Sequence, residues 1–84
     1  MTTAPAARVE VVTTPGCHLC ETACTVVDEV CGTLGIGWRT VDLASLAEGR
    51  QNEWRNYVPV VLIDGEVHDI FRVDRARLRA ALRK

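Results

Sequence analysis

Eighty-four residues, 48% hydrophobic and 25% charged, give a chain of ordinary globular composition, enough for one core and too short for two. The formal net charge of -1 excludes the overall positive field of a dedicated nucleic-acid binder. A single domain over residues 1–84 is therefore expected.

The start, Met1 to Arg8, has no basic segment followed by a long apolar stretch, so neither a signal peptide nor a membrane span is expected and the cytoplasm is the default location. Thiols are kept reduced there, so four cysteines between positions 17 and 31 read as redox or metal chemistry rather than structural staples. Arg8-Val9-Glu10-Val11-Val12-Thr13 is rich in β-branched residues and stops at Thr14-Pro15-Gly16, which predicts a first strand ending in a turn.

From His18 the apolar period changes. Cys20, Cys24, Val27, Cys31 and Leu34 recur at helical spacing, widened by Ala23, Val26 and Val30. An amphipathic helix follows, with Glu21, Thr25, Asp28 and Glu29 on its polar face and Gly32 and Gly35 as stop signals. Ile36 to Asp42 reads as a second strand, parallel to the first through a right-handed crossover. Ser45 and Glu48 match a capping box opening a short helix through about Trp54. Val58–Ile63 and Glu66–Phe71 flank Asp64-Gly65, a strong hairpin signal. Asp74 then caps a helix carrying Leu78, Ala81 and Leu82 on its apolar side. The order is βαβαββα. Six of the ten basic residues lie in the last thirteen positions, a basic tail able to attract anions or acidic partners.

The chemistry concentrates in Cys17-His18-Leu19-Cys20 at the entrance of the first helix. Two cysteines so spaced meet side to side, and the free N–H groups and positive dipole end favour the Cys17 thiolate. Cys17 is the candidate nucleophile and Cys20, on the apolar stripe, the resolving thiol. His18 sits between them. Half a zinc site is the competing reading, but no second pair of cysteines at that spacing accompanies it, Cys24 and Cys31 share one rigid helix with Cys20, and His18 and His68 have no paired-ligand spacing. Cys24 and Cys31 are expected as small core residues, although Cys24, one turn past Cys20, is placed to serve as a second resolving thiol. Trp38, Trp54 and Tyr57 are expected to pack in the core or at its edge, with Tyr57 bordering a substrate groove.

Thr14-Pro15-Gly16-Cys17-His18-Leu19-Cys20-Glu21, then Val58-Pro59 and Ile63-Asp64-Gly65 in this order of elements, resemble a glutaredoxin-like member of the thioredoxin superfamily from about Arg8 to Lys84. The resemblance implies an α/β thioredoxin-like fold, a four-stranded mixed sheet flanked by helices, with Pro59 cis beside the cysteines and Val58 offering its backbone to a thiol substrate. It implies a thiol–disulfide oxidoreductase that holds no tightly bound cofactor and acts on protein disulfides or mixed disulfides with a small thiol; the small size makes a monomer the simplest expectation, and neither a nucleic-acid nor a membrane partner is expected.

The departures bear on the co-substrate. Thr14 and Pro15 stand where classical glutaredoxins carry a lysine. The family's Gly-Gly before an aspartate is replaced by Phe71-Arg72-Val73-Asp74. Glutathione, another low-molecular-weight thiol and a protein thiol are equally admissible, with Arg72 and Arg75 as a substitute anion site and Asp74 as the retained acidic residue. Two further readings stay open: a metal or iron–sulfur module held through Cys17 and a thiol cofactor, and an interaction domain with idle cysteines.

Overall fold

Val9, Val11 and Val12 are all fully buried, so the first strand, β1 (Val9–Thr13), is covered on both faces, as the inner strand of a sheet lined by helices must be. The computed structural model describes residues 8–83. Apart from Arg8, the amino-terminal segment read above lies outside them, as does Lys84. After β1 come α1 (His18–Leu34), β2 (Trp38–Asp42), a 3-10 turn (Leu43–Ser45), α2 (Glu48–Trp54), β3 (Val60–Ile63), β4 (Glu66–Ile70) and α3 (Arg75–Leu82). The sheet order is β2-β1-β3-β4, with β1 parallel to β2 and antiparallel to β3, and β3 antiparallel to β4. This is the expected four-stranded mixed sheet in βαβαββα order.

The two-residue period of the strands divides the core. Val9, Val11 and Val61 face Ala23, Val27, Val30 and Cys31 of α1 and Leu78 and Leu82 of α3. Val12, Val60 and Leu62 face the opposite side, under Leu43 and beside Trp54 of α2. Asp64 and Gly65 both have positive φ, 53° and 87°, the geometry a two-residue hairpin turn requires. Asp64 also ties the turn to β1, accepting from the Arg8 guanidinium at 3.2 and 3.3 Å.

Four local expectations are corrected. Ser45 does not cap α2: its hydroxyl donates to the Asp42 carbonyl at 2.6 Å, and Asp42 caps the intervening 3-10 turn, so α2 starts after Ala47 without a side-chain cap. Gly32 lies inside α1, which ends only at Gly35, because the apolar stripe continues through Leu34. Strand β3 starts at Val60 rather than Val58, and β4 stops at Ile70 because Phe71 turns to φ 62°.

Asp74 does cap α3, accepting from the Arg77 N–H at 3.0 Å. Asp74→Ala is expected to lower stability by about 1 kcal/mol, read as a shift in the urea midpoint at unchanged slope; an unshifted midpoint would mean that water serves the helix end equally well.

Candidate active site

The strand register brings three loops to one end of the sheet. Val12 lies opposite Val60 and Val60 opposite Ile70, so the turn after β1, the residues before β3 and those after β4 emerge side by side. Between β1 and α1 the chain reverses at Gly16, whose φ of 74° disfavours any residue with a Cβ. That reversal places Cys17 as the N-cap of α1.

Cys17 Sγ accepts the backbone N–H of Cys20 at 3.1 Å, filling the place a serine or aspartate oxygen takes at most helix starts. The Cys17 carbonyl accepts the Glu21 N–H at 3.2 Å. Cys20 is 3% exposed, whereas Cys17 is half-buried, and all four cysteines are free thiols. Burial, and then a hydrogen bond with Cys17, push the Cys20 thiol up to about 11. The two sulfurs, close together at the helix entrance, are thus chemically unlike: one open and receiving an N–H, the other enclosed and held protonated.

An open cavity of about 400 Å³ is lined by Cys17, Cys20 and Cys24, with Thr13, Thr14 and Thr40 among its walls. Cys31 sits in the core as expected. Cys24 packs against the same core but is only half-buried, and its open side shares the cavity, one turn from Cys20 on the same flank of α1. Burial raises both the Cys24 and Cys31 thiols, with negative charge at Cys17 adding to the shift at Cys24.

The sign of the resulting pH dependence follows from linkage. Folded-state values above the ordinary 9.0 mean that unfolded thiols ionise first. The stabilisation is complete below pH 9, and is lost as pH climbs toward about 11 for Cys20. Reduced protein is expected to show a lower urea midpoint at about pH 10.5 than at about pH 8. The drop is expected to be smaller once Cys17 and Cys20 are bridged, because Cys20 then no longer titrates; equal drops would remove Cys20 from the account.

The remaining sequence candidates fall in different places. The His18 side chain is 97% exposed, 3.6 Å from Glu21, and is not among the cavity walls. Val58 packs against the core at the Val12–Val60 side. The Val58–Pro59 peptide is cis. Pro59 is fully buried, and its carbonyl accepts the Phe71 N–H at 2.9 Å. Tyr57 is exposed rather than packed in the core, and its ring meets that of Phe71 at 5.8 Å. Arg72 and Asp74 line an open depression beside α3. Arg75 is not available as an anion site, because Glu29 binds its guanidinium at 2.6 Å. Among the described residues no group of three or more histidine, cysteine or acidic side chains is arranged to hold a metal ion, and no helix is long and apolar enough to cross a membrane. Thr13 and Thr40 join the cysteines in the cavity wall, and no local signal in the sequence marks them, because only the β1–β2 pairing brings Thr40 beside β1.

Comparison with known proteins bears on the fold and the family. The model of the glutaredoxin-like domain (DUF836) matches residues 8–83. The uncharacterized protein Rv0508 of Mycobacterium tuberculosis is 35% identical over 77 residues, which cover 87% of this chain and 79% of that one. Among solved structures, target protein XcR50 from X. campestris superposes with a TM-score of 0.71 at 21% identity, covering 89% of this chain and 95% of that one. The glutaredoxin grx-1 of Archaeoglobus fulgidus superposes with a TM-score of 0.57 at 18% identity, covering 95% and 90%. These superpositions carry the thioredoxin-like fold, and the matched domain spans every described residue: the chain belongs to the glutaredoxin-like domain family.

Proposed function

We propose that the protein is a dithiol oxidoreductase that reduces disulfides of proteins, or mixed disulfides with a low-molecular-weight thiol, through Cys17 and Cys20. The observation that supports this most directly is the unlike pair at the start of α1: an accessible Cys17 sulfur receiving a backbone N–H at 3.1 Å, beside an enclosed Cys20 whose thiol is raised to about 11.

The Cys17 thiolate attacks one sulfur of the substrate disulfide. A bond forms between Cys17 and that sulfur, and the other substrate sulfur leaves as a thiolate that takes a proton from solvent. Cys20 then attacks Cys17 Sγ, giving up its proton to the second departing substrate sulfur. The substrate has gained two electrons and the protein holds a Cys17–Cys20 disulfide, which an external thiol reductant reopens by the same exchange in reverse. Protonated Cys20 waits until the mixed disulfide has formed, so it does not compete with Cys17 for substrate. The proposed setting is the cytoplasm, whose reducing thiol pool favours this direction.

The test is equilibration in buffers of graded thiol–disulfide potential, followed by alkylation of free thiols and location of the bridge by peptide mass spectrometry. A reversible two-electron transition confined to Cys17 and Cys20 is expected. A pair that stays reduced throughout, or a bridge through Cys24 or Cys31, would end the dithiol mechanism.

A further inference from the structure

Of the two thiols that the dithiol cycle leaves unused, Cys31 is fully buried, whereas Cys24 is half-buried and opens into the cavity of about 400 Å³ beside Cys17 and Cys20. No internal disulfide is open to Cys24. Residues four apart on a helix hold their Cβ atoms about 5–6 Å apart, beyond the roughly 3.5–4.5 Å that a disulfide needs, which excludes Cys20. Cys17 and Cys31 lie seven residues to either side along α1, a rise of about 10 Å. Oxidation of Cys24 therefore ends in an adduct with an external thiol or in the irreversible sulfinic and sulfonic acids.

The cavity offers polar groups to such a thiol. Thr13, Thr14 and Thr40 line it, and their hydroxyls make no side-chain hydrogen bond among the described residues, whereas Thr22, Thr25 and Thr33 each donate to the carbonyl four residues back. Alternation along β2 puts Trp38 and Thr40 on the α1 face and turns Arg39 to the other, where Glu10 binds its guanidinium. Trp38 donates its indole N–H to Asp28 at 3.2 Å, tying β2 to α1 one turn beyond Cys24.

Charge on this face has one sign. Glu21 and Asp28 stand three residues before Cys24 and four after it, the positions that adjoin it on a helix. Glu21 is itself part of the wall, and no arginine, lysine or histidine is. Burial, and then negative charge at Cys17, raise the Cys24 thiol. Bridging Cys17 to Cys20 removes the second cause, so Cys24 ionises more readily in the oxidised protein.

We propose that Cys24 is a thiolation site: with Cys17 and Cys20 bridged, it forms a mixed disulfide with a small thiol that carries an amino or hydroxyl group and no carboxylate, lodged in the cavity. The bridged state comes from the dithiol reading above; the site comes from the cavity. The Cys24 thiolate attacks one sulfur of a small symmetrical disulfide. A bond forms between Cys24 Sγ and that sulfur, the reagent's own S–S bond breaks, and its second half leaves as a thiolate that takes up the proton Cys24 gave up. The adduct persists while the bridge stands, since no free thiol then shares the cavity, and it keeps Cys24 off the irreversible branch.

The test treats oxidised protein with cystamine, hydroxyethyl disulfide or dithiodipropionate at equal concentration, follows adducts by intact mass and locates them by peptide mapping. A single adduct on Cys24 is expected, forming on the order of 100-fold faster than any on Cys31, whose thiol reacts only when the core opens. Cystamine is expected to outpace dithiodipropionate by about three- to tenfold at low salt, with the difference shrinking as salt is raised and in Glu21→Gln. A double variant, Cys17→Ser with Cys20→Ala, is treated in parallel, because it tests the site without the dithiol. Wild-type protein that forms no bridge, beside a double variant that still takes the adduct on Cys24, would end the dithiol reading and leave the site standing. No adduct on Cys24 in either protein, or equal rates at Cys24 and Cys31, would overturn the proposal. Equal rates for cystamine and dithiodipropionate would overturn its choice of ligand.

Discussion

Cys17→Ser is expected to lower disulfide exchange by on the order of 10³-fold or more, because it removes the attacking atom itself. Cys20→Ser is expected to behave differently: one exchange at Cys17, and then a stable adduct visible as an increase in mass equal to the bound substrate thiol. The contrast depends on Cys24 being unable to take over. Cys17 and Cys20 are about one helical turn apart, some 5 Å between Cα atoms, within the range a disulfide spans. Cys24 lies seven residues from Cys17, a rise of about 10 Å at 1.5 Å per residue, beyond that range. An active Cys20→Ser variant that turns over without an adduct would show that the resolving thiol comes from outside the protein. Equal and slight losses in both variants would remove the pair from catalysis.

Leu78→Ala is expected to have the largest effect on stability. Leu78 is fully buried and fills the space where α3 meets α1 and the strand residues Val9, Val11 and Val61. Removing it costs roughly 2–5 kcal/mol in lost burial and residual cavity. The whole stability expected for a chain of 84 residues is only about 4–13 kcal/mol, so the variant sits near the edge of folding. A fall of about 2 M or more in the urea midpoint is expected, taking a slope of about 1 kcal/mol per M for a protein this small. A fall corresponding to less than 1 kcal/mol would mean that α3 closes over the gap, and that the helix is held by its cap and ion pairs more than by packing.

Short-range features were legible in the residues. The helical spacing from Cys20 to Leu34, the Asp64-Gly65 turn and the Asp74 cap each depend on neighbours within a few positions, and the structure has all three where the sequence puts them. The Ser45–Glu48 capping box was a misreading of the same kind of signal, since Asp42, three residues earlier, took the Ser45 hydroxyl through its carbonyl.

By itself the sequence determined the order of elements, the family resemblance and the position of Cys17 at a helix entrance, because periodicity, turn chemistry and capping are local properties of the chain. Tertiary structure alone decided which side chains share a surface. Cys24 was free to be core or cavity until α1 settled on the sheet with one flank toward Thr40 of β2. Arg75 was free to be an anion site until Glu29, 46 residues away in the chain, reached it. Leu19, Tyr57 and Phe71 come from three separate segments, and only the β1–β3–β4 register carries those segments to the same end of the sheet. Pairing across the sheet and between helices is set by packing the whole core at once, and no short stretch of residues contains that information.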